Sequence, residues 1–318
     1  MAGMNAIAPV EAAAPGSASA PTLYLIDASM YVFRAWHSMP NVFFDTEGAP
    51  VNAVHGFARF LLDFVERTRA RHAVAAFDIA LTSSFRNAIY PAYKANREPA
   101  PPELKRQFEY CRELAAAFGL VVLADAAYEA DDLIGSVLVA MRAHGLRSVI
   151  VSADKDFGQL LHHDAEQWDY ARGQRWGAAG VPARLGVEAH QVIDFLALTG
   201  DAIDNIPGVP GIGPKSAAAL LAHFGSLDEL LARLDEVPFL RLRGAASLAA
   251  KLRAHAQQAR LSQKLACIAL DAPVPGHPDG LLRRAADLAV LEALCERLRI
   301  GPLTRERARK LLQLEAVA

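Results

Sequence analysis

The sequence predicts an α/β fold with a mostly parallel central sheet, followed by a helical region. Three observations carry this: short apolar runs that end in aspartate recur, segments of helical spacing lie between them, and after about Leu185 the composition turns to Ala and Leu. The first run, Leu23-Tyr24-Leu25-Ile26, stops at Asp27. The second, Ala73 to Phe77, ends at Asp78, and the third, Ser148 to Ser152, runs out into Asp154 and Asp156. Between the first two runs, Val54, Phe57, Ala58, Leu61, Leu62 and Val65 recur at steps of three and four, which is one face of a helix. Strands alternating with helices imply a parallel sheet, and such sheets bind ligands at the carboxyl ends of their strands. Asp27, Asp78, Asp154 and Asp156 are therefore expected on one face. Beyond Leu185, Ser216 to Phe224 and Ala245 to Ala259 read as helices.

Bulk properties set the limits. A chain of 318 residues that is 53% hydrophobic can bury a real core, which excludes a disordered protein. A net charge of −2 argues against a general nucleic-acid coating protein, so charge has to be read locally. Cys111, Cys267 and Cys295 are odd in number and far apart, which argues against disulfides and zinc and fits a reducing cytoplasm. Residues 1–21, rich in Ala, Pro, Gly and Ser without a basic start and apolar core, read as a disordered tail and not a secretory signal. No run of about 18 uncharged apolar residues marks a membrane span. His37, His55, His72, His162 and His163 show no metal-type spacing.

Two more acidic groups join the strand-end aspartates. Glu129, Asp131 and Asp132 open an apolar-periodic segment, and Asp201 and Asp204 follow Leu196 to Gly200. Glu129 with Asp132, and Asp201 with Asp204, are three apart and are expected to share a helix face; Asp154 and Asp156 are expected on one side of an extended segment. Taken singly, each acid is more often a surface residue, cap or turn former, and Asp125, Asp164 and Asp169 are left in that class. Together the nine carboxylates repel unless cations neutralise them, and all-oxygen donors suit Mg2+ or Mn2+. Two such ions about 4 Å apart activate water and stabilise a leaving oxygen in phosphodiester hydrolysis.

Positive charge is local. Ile206 to Lys215 is a Gly-rich turn before an Ala-rich helix, where Gly208, Gly211 and Gly213 with Lys215 suit a phosphate backbone. From Leu81 to Arg97 there are three bases, Arg86, Lys94 and Arg97, and no acid, with Phe85, Tyr90 and Tyr93 interleaved, a pattern suited to a single strand. From Val237 to Lys264 six bases (Arg241, Arg243, Lys251, Arg253, Arg260, Lys264) again meet no acid, which suits a duplex; a plain solvated helix face is the ordinary alternative for both runs.

These motifs resemble the 5′ nuclease domain of bacterial DNA polymerase I and its phage and flap-endonuclease relatives. The residues that carry the resemblance are Leu25-Ile26-Asp27 with Arg34 to His37, Phe77-Asp78, Phe85-Arg86 with Tyr93-Lys94 and Arg97, Glu129 to Asp132, Ser152 to Asp156, and Gly200 to Gly213. They span roughly Leu23 to Ile268, as a free-standing version with no polymerase domain after it. The resemblance implies a PIN-like nuclease domain over 22–185 with a helical arch near 80–105 and a helix-hairpin-helix DNA-binding region over 186–275; residues 276–318, rich in Leu, Ala and Arg, read as a C-terminal helical extension with no assigned role. It implies that Asp27, Asp78, Glu129, Asp131 and Asp132 serve mainly one metal and Asp154, Asp156, Asp201 and Asp204 another. Arg86 and Lys94 then act in catalysis by steering the scissile phosphate from the arch, while Tyr93, Arg97, Gly208, Gly211, Gly213 and Lys215 contact DNA, with K+ at the hairpin. Expected partners are DNA 5′ ends, flaps or nicks and RNA primers joined to DNA, met by a monomer. Ala28, Met30 and Ala202-Ile203 depart from the family pattern and bear on fine positioning, since no ligand is lost.

Two rivals are weighed. A non-catalytic branched-DNA binding module differs in lacking metal-dependent cleavage. A haloacid-dehalogenase-type phosphatase needs Asp-x-Asp after the first strand, whereas Asp27 is followed by Ala28 and Ser29.

Overall fold

In the computed structural model, residues 21–79 and 84–317 are described, with side chains as far as Leu312. The tail expected over residues 1–21 thus lies, apart from Pro21, outside the described residues, as do residues 80–83 of the expected arch.

The first part runs β1 (Thr22–Asp27), α1 (Ala28–Ser38), α2 (Asn52–Thr68), β2 (His72–Asp78), α3 (Phe85–Ile89), α4 (Pro102–Ala117), β3 (Val121–Asp125), α5 (Ala130–Arg142), β4 (Arg147–Val151), β5 (Ala165–Asp169) and β6 (Gln174–Trp176). The sheet order is β3-β2-β1-β4-β5-β6, with every pair parallel except β5 with β6. The chain winds outward from β1 in one direction and returns through β4 in the other, so the switch point lies between β1 and β4, where Asp27 and Asp154 emerge.

Strand periodicity divides the core. Leu23, Leu25, Val74 and Ala76 face a layer formed by α5 and the helical region, while Ile26, Ala73, Ala75 and Phe77 face α1, α2 and α4. Both sheet faces are covered, which is why β2 is buried almost throughout.

The later part runs α6 (Val181–Leu185), α7 (Val192–Thr199), α8 (Pro214–Phe224), α9 (Leu227–Ala232), α10 (Ala245–Ala254), α11 (Ala256–Ala266), α12 (Leu288–Arg297) and α13 (Pro302–Val317). Buried residues of α7, α8 and α11 continue the first core layer. Leu291, Leu294, Leu298 and Leu311 of the last segment join the second, behind α2 and α4, where the carbonyl of Leu298 meets His55 Nε2 at 2.9 Å. No described helix is long and apolar enough to cross a membrane.

The segment after α7 is positioned by glycine. At Gly208 (φ +60°) a Cβ would fall 2.3 Å from the nitrogen of Gly200 and 2.6 Å from the carbonyl carbon of Thr199. The next residue docks by Val209 N–H to the Leu198 carbonyl at 2.8 Å. Gly208→Ala therefore combines backbone overlap with a disfavoured φ and is expected to cost about 2–4 kcal/mol, read by urea denaturation. An unchanged midpoint would show that α7 and the hairpin are not held by this contact.

Candidate metal centre

Asp27 is both the last residue of β1 and the N-cap of α1, its Oδ1 accepting from Met30 N–H at 3.2 Å. Its Oδ2 accepts from Ser152 Oγ at 2.9 Å, which ties the ends of β1 and β4 together. Burial, with the carboxylates of Asp78 and Asp154 beside it, pushes Asp27 up to about 7. Asp78 closes β2 and accepts from Ala130 N–H at 2.9 Å, so it steers the start of α5.

That start carries the densest cluster, in which oxygens of Glu129, Asp131 and Asp132 lie within 4.8 Å of one another. Glu129 and Asp132 form a capping box, each reaching the other's backbone N–H. The helix-face expectation for this pair is thus replaced by a cap. Burial lifts Asp131 well above the usual carboxylate range, and Asp132 adds to the effect.

Asp154 and Asp156 are not on an extended segment. Asp154 caps a 3-10 turn over Lys155–Leu160, accepting from Asp156 N–H at 3.0 Å. Burial and the neighbouring Asp154 push Asp156 up to about 7. Nor do Asp201 and Asp204 share a helix face, because α7 ends before them. They sit in a tight loop closed by paired backbone hydrogen bonds between Asp201 and Ile206, at 3.0 and 2.8 Å, with Asn205 in the left-handed region.

Cations thread the acids. Lys94 Nζ lies 2.8 Å from Glu129 and 3.8 Å from Asp204. Burial opposes its charge, yet Glu129 and Asp204 hold it above its ordinary value. Lys155 bonds Asp201 and lies 3.2 Å from Asp156. Burial works against ionised Asp201 too, but Lys155 holds its carboxyl below the usual range. Arg97 bonds Asp204. Asp204 thereby sits with Glu129, whereas the resemblance groups it with Asp154, Asp156 and Asp201.

Arg86 requires a correction. Its side chain is 2% exposed, with Nε on the Leu265 carbonyl at 2.9 Å, one nitrogen on Asp132 at 2.7 Å, and the other on Asp132 at 2.8 Å and the Cys267 carbonyl at 2.8 Å. A guanidinium so saturated has no donor face for a phosphate; it braces α5 against the end of α11. Asp132, within the cluster it forms with Glu129 and Asp131, accepts from Arg86, Glu129 N–H and Ala269 N–H on its two oxygens. Tyr93 is likewise buried, its hydroxyl shared between Glu129 at 3.1 Å and Asp204 at 3.3 Å, so its ring is not a stacking platform.

At the hairpin, Gly208 is buried, its N–H on Ser262 Oγ at 3.0 Å, which removes it from any phosphate contact. Gly211, Gly213 and Lys215 are exposed, with Gly213 capping α8. Lys251, one of six bases in its run, reaches over Gly211, where a Cβ would lie 2.3 Å from its Nζ. Sequence reasoning assigned no role to Lys155, although it stands between two of the acids, nor to Ser152.

Lysines bridging paired carboxylates show that these acids are set to share a cation, and all donors are oxygen. The residues therefore fit hard divalent ions.

An acid-lined switch point on a parallel sheet, joined to a helical region with a Gly-rich hairpin, defines a PIN-like nuclease fold with a helix-hairpin-helix. Residues 22–186 match the family described as 5′-3′ exonuclease, N-terminal resolvase-like domain, and residues 187–289 its C-terminal SAM fold. The chain belongs to the 5′-3′ exonuclease family. It is 39% identical over 260 residues to DNA polymerase I of Pseudomonas aeruginosa, covering 81% of this chain and 28% of that protein. With the thermostable DNA polymerase I of Thermus filiformis it shares 37% over 282 residues, 89% of this chain and 32% of that protein. It thus spans less than a third of the length of these polymerases. In fold it resembles T5 5′-exonuclease with bound zinc (TM-score 0.63, 19% identity, 92% of this chain and 98% of that one). It also resembles the catalytic core of Rad2 in complex with DNA substrate (TM-score 0.61, 16% identity, 92% of each).

Two outcomes follow. Arg86→Met leaves Asp132 buried without its partner and is expected to cost about 3–5 kcal/mol in chemical denaturation; a loss confined to DNA cleavage, with stability intact, would restore Arg86 to the phosphate. Without metal, folded Asp27 and Asp156 keep protons up to about 7 that the unfolded chain releases near 3.8. Stability therefore falls as pH rises through that window, by at most about 1.4 kcal/mol per pH unit for each group. Asp201, with its lowered value, loses its contribution only below the window. Melting at pH 5 and pH 8 is expected to show the drop, and Mg2+ to reverse it at pH 8; melting indifferent to both would contradict the metal centre.

Proposed function

We propose that this chain is a structure-selective 5′ nuclease, a 5′-3′ exonuclease, flap endonuclease or both, that hydrolyses DNA phosphodiester bonds in replication or repair. The observation that carries it is the acid cluster whose paired carboxylates already share single cations. In this reading Asp27, Asp78, Glu129, Asp131 and Asp204 hold one Mg2+ or Mn2+, and Asp154, Asp156 and Asp201 another. Such ions, when bound, lower the pKa of water and neutralise charge on the phosphate oxygens.

The chain's own residues supply the rest. Lys94 and Arg97, at the edge of the site, exchange carboxylate partners for the scissile phosphate. Gly211, Gly213, Lys215 and Lys251 hold the duplex backbone through open amides and ammonium groups without reading bases, with K+ as a further occupant. The substrate class is DNA with 5′ ends, nicks or flaps, extending to RNA primers joined to DNA, met by a monomer in the cytoplasm. The domain limits in this reading are 22–185 for the nuclease domain and 186–275 for the hairpin region, with 276–318 an extension.

A 5′-labelled flap duplex incubated with and without Mg2+ tests the proposal against a purely binding role. Wild type is expected to cleave only with Mg2+, and Asp154→Asn with Asp156→Asn to lower the rate at least about a thousandfold, a barrier change of about 4 kcal/mol. Junction-length products mean flap cleavage and mononucleotides mean exonuclease action. Tight binding without cleavage by wild type leaves the binding module.

A further inference from the structure

Past the end of β4 the chain leaves the sheet at Ser152, beyond the last β4–β5 backbone pair, Ile150 with Gln167, so the carbonyls of Ser152 and Asp154 need a side chain to answer them. Gln167, in the middle of β5, does so. Its side-chain amide donates to the Ser152 carbonyl at 3.1 Å and to the Asp154 carbonyl at 2.5 Å, and the residue is 1% exposed. One NH2 group thus clamps two carbonyls two residues apart and fixes the turn between them.

That turn sets three carboxylates. Ser152 Oγ donates to Asp27 at 2.9 Å and accepts from Asp154 N–H at 3.1 Å, and Asp154 in turn accepts from Asp156 N–H. We infer that Gln167 is a positioning residue for the metal centre: from a neighbouring strand it holds the Ser152–Asp156 turn so that Asp154 and Asp156 face one cation and Asp27, through Ser152 Oγ, is held toward the other. The inference rests on the metal-dependent reading above. A carboxamide is suited to the task, since it brings two donors on one nitrogen and no charge that would compete for the cation. Hydrogen-bond partners of metal-holding groups commonly change affinity about 10–100-fold when removed.

Elsewhere the fold contains the same device away from any acid cluster. Gln191 donates to the Leu221 carbonyl at 3.0 Å and the Gly225 carbonyl at 2.9 Å at the end of α8. It provides a matched control for simple loss of a buried clamp.

The test is Mn2+ binding to the metal-free full chain, followed by calorimetry and by the Mn2+ electron spin resonance signal. Gln167→Met, close in shape but without donors, is expected to weaken Mn2+ binding about tenfold or more, and Gln167→Asn, one methylene short, by a smaller factor. Gln191→Met is expected to lower thermal stability and leave Mn2+ affinity unchanged. In cleavage assays the Mg2+ concentration for half-maximal rate rises for the Gln167 variants while KM for DNA stays. Wild-type affinity in both Gln167 variants, or equal weakening in Gln191→Met, overturns the inference alone. A wild type that takes up no Mn2+ overturns both it and the metal reading. If Gln167→Met does not fold, Gln167→Asn decides.

Discussion

Like charges gathered at one end of a sheet repel, and most of this molecule's polar architecture answers that repulsion. Asp27, Asp131 and Asp156 are all raised above the ordinary carboxylate range by burial and by neighbouring carboxylates, Asp78 and Asp154 for the first, Asp132 and Glu129 for the second, Asp154 and Asp201 for the third. The chain offsets the rest with its own cations: Arg86 against Asp132, Lys94 between Glu129 and Asp204, Arg97 on Asp204, and Lys155 between Asp156 and Asp201. In a medium of low effective dielectric such pairings decide whether buried acids are tolerated at all.

The cations also stitch distant segments together. Residues 92–97 are bound to the loop after α7 by Lys94 N–H to the Asp204 carbonyl at 3.0 Å, Asn96 to the Ala202 carbonyl at 2.7 Å, and Asn205 to the Ala92 carbonyl at 2.6 Å. Lys94 itself sits at φ +54°, a conformation uncommon for a residue with a Cβ and held here by contacts on both sides. The segment expected in the arch and the loop carrying Asp201 and Asp204 therefore form one unit.

Much of this was legible in the sequence because it obeys short-range rules. Strand-end aspartates are visible where an apolar run stops, and the parallel sheet follows from alternation with helical spacing; Asp27 and Asp78 needed nothing more. The spacing of three in Asp201 and Asp204 misled, because a turn closed by the Asp201–Ile206 pair brings residues together at the same interval as a helix. Arg86 was unreadable for another reason: a base among aromatics looks the same whether it faces water or is walled in by Asp132 and the carbonyls of Leu265 and Cys267. Those partners lie up to 181 residues away. Gln167 gave no signal, since its two acceptors are backbone carbonyls.

Arg86 and the two lysines of the site differ in a way that follows from their chemistry. A planar guanidinium offers five donors; in Arg86 four are taken by Asp132 and the carbonyls of Leu265 and Cys267, the fifth lies toward Glu129, 3.6 Å away, and a group so held is costly to extract. An ammonium is a compact charge that makes no fixed fork, so another cation of higher charge can take over its carboxylates without breaking a bidentate geometry. Lys94 and Lys155 each lie between two carboxylates in this way, with side chains 10% and 43% exposed. A buried guanidinium fixed on Asp132 and lysines shared between carboxylates together let the acid cluster fold on the chain's own charges.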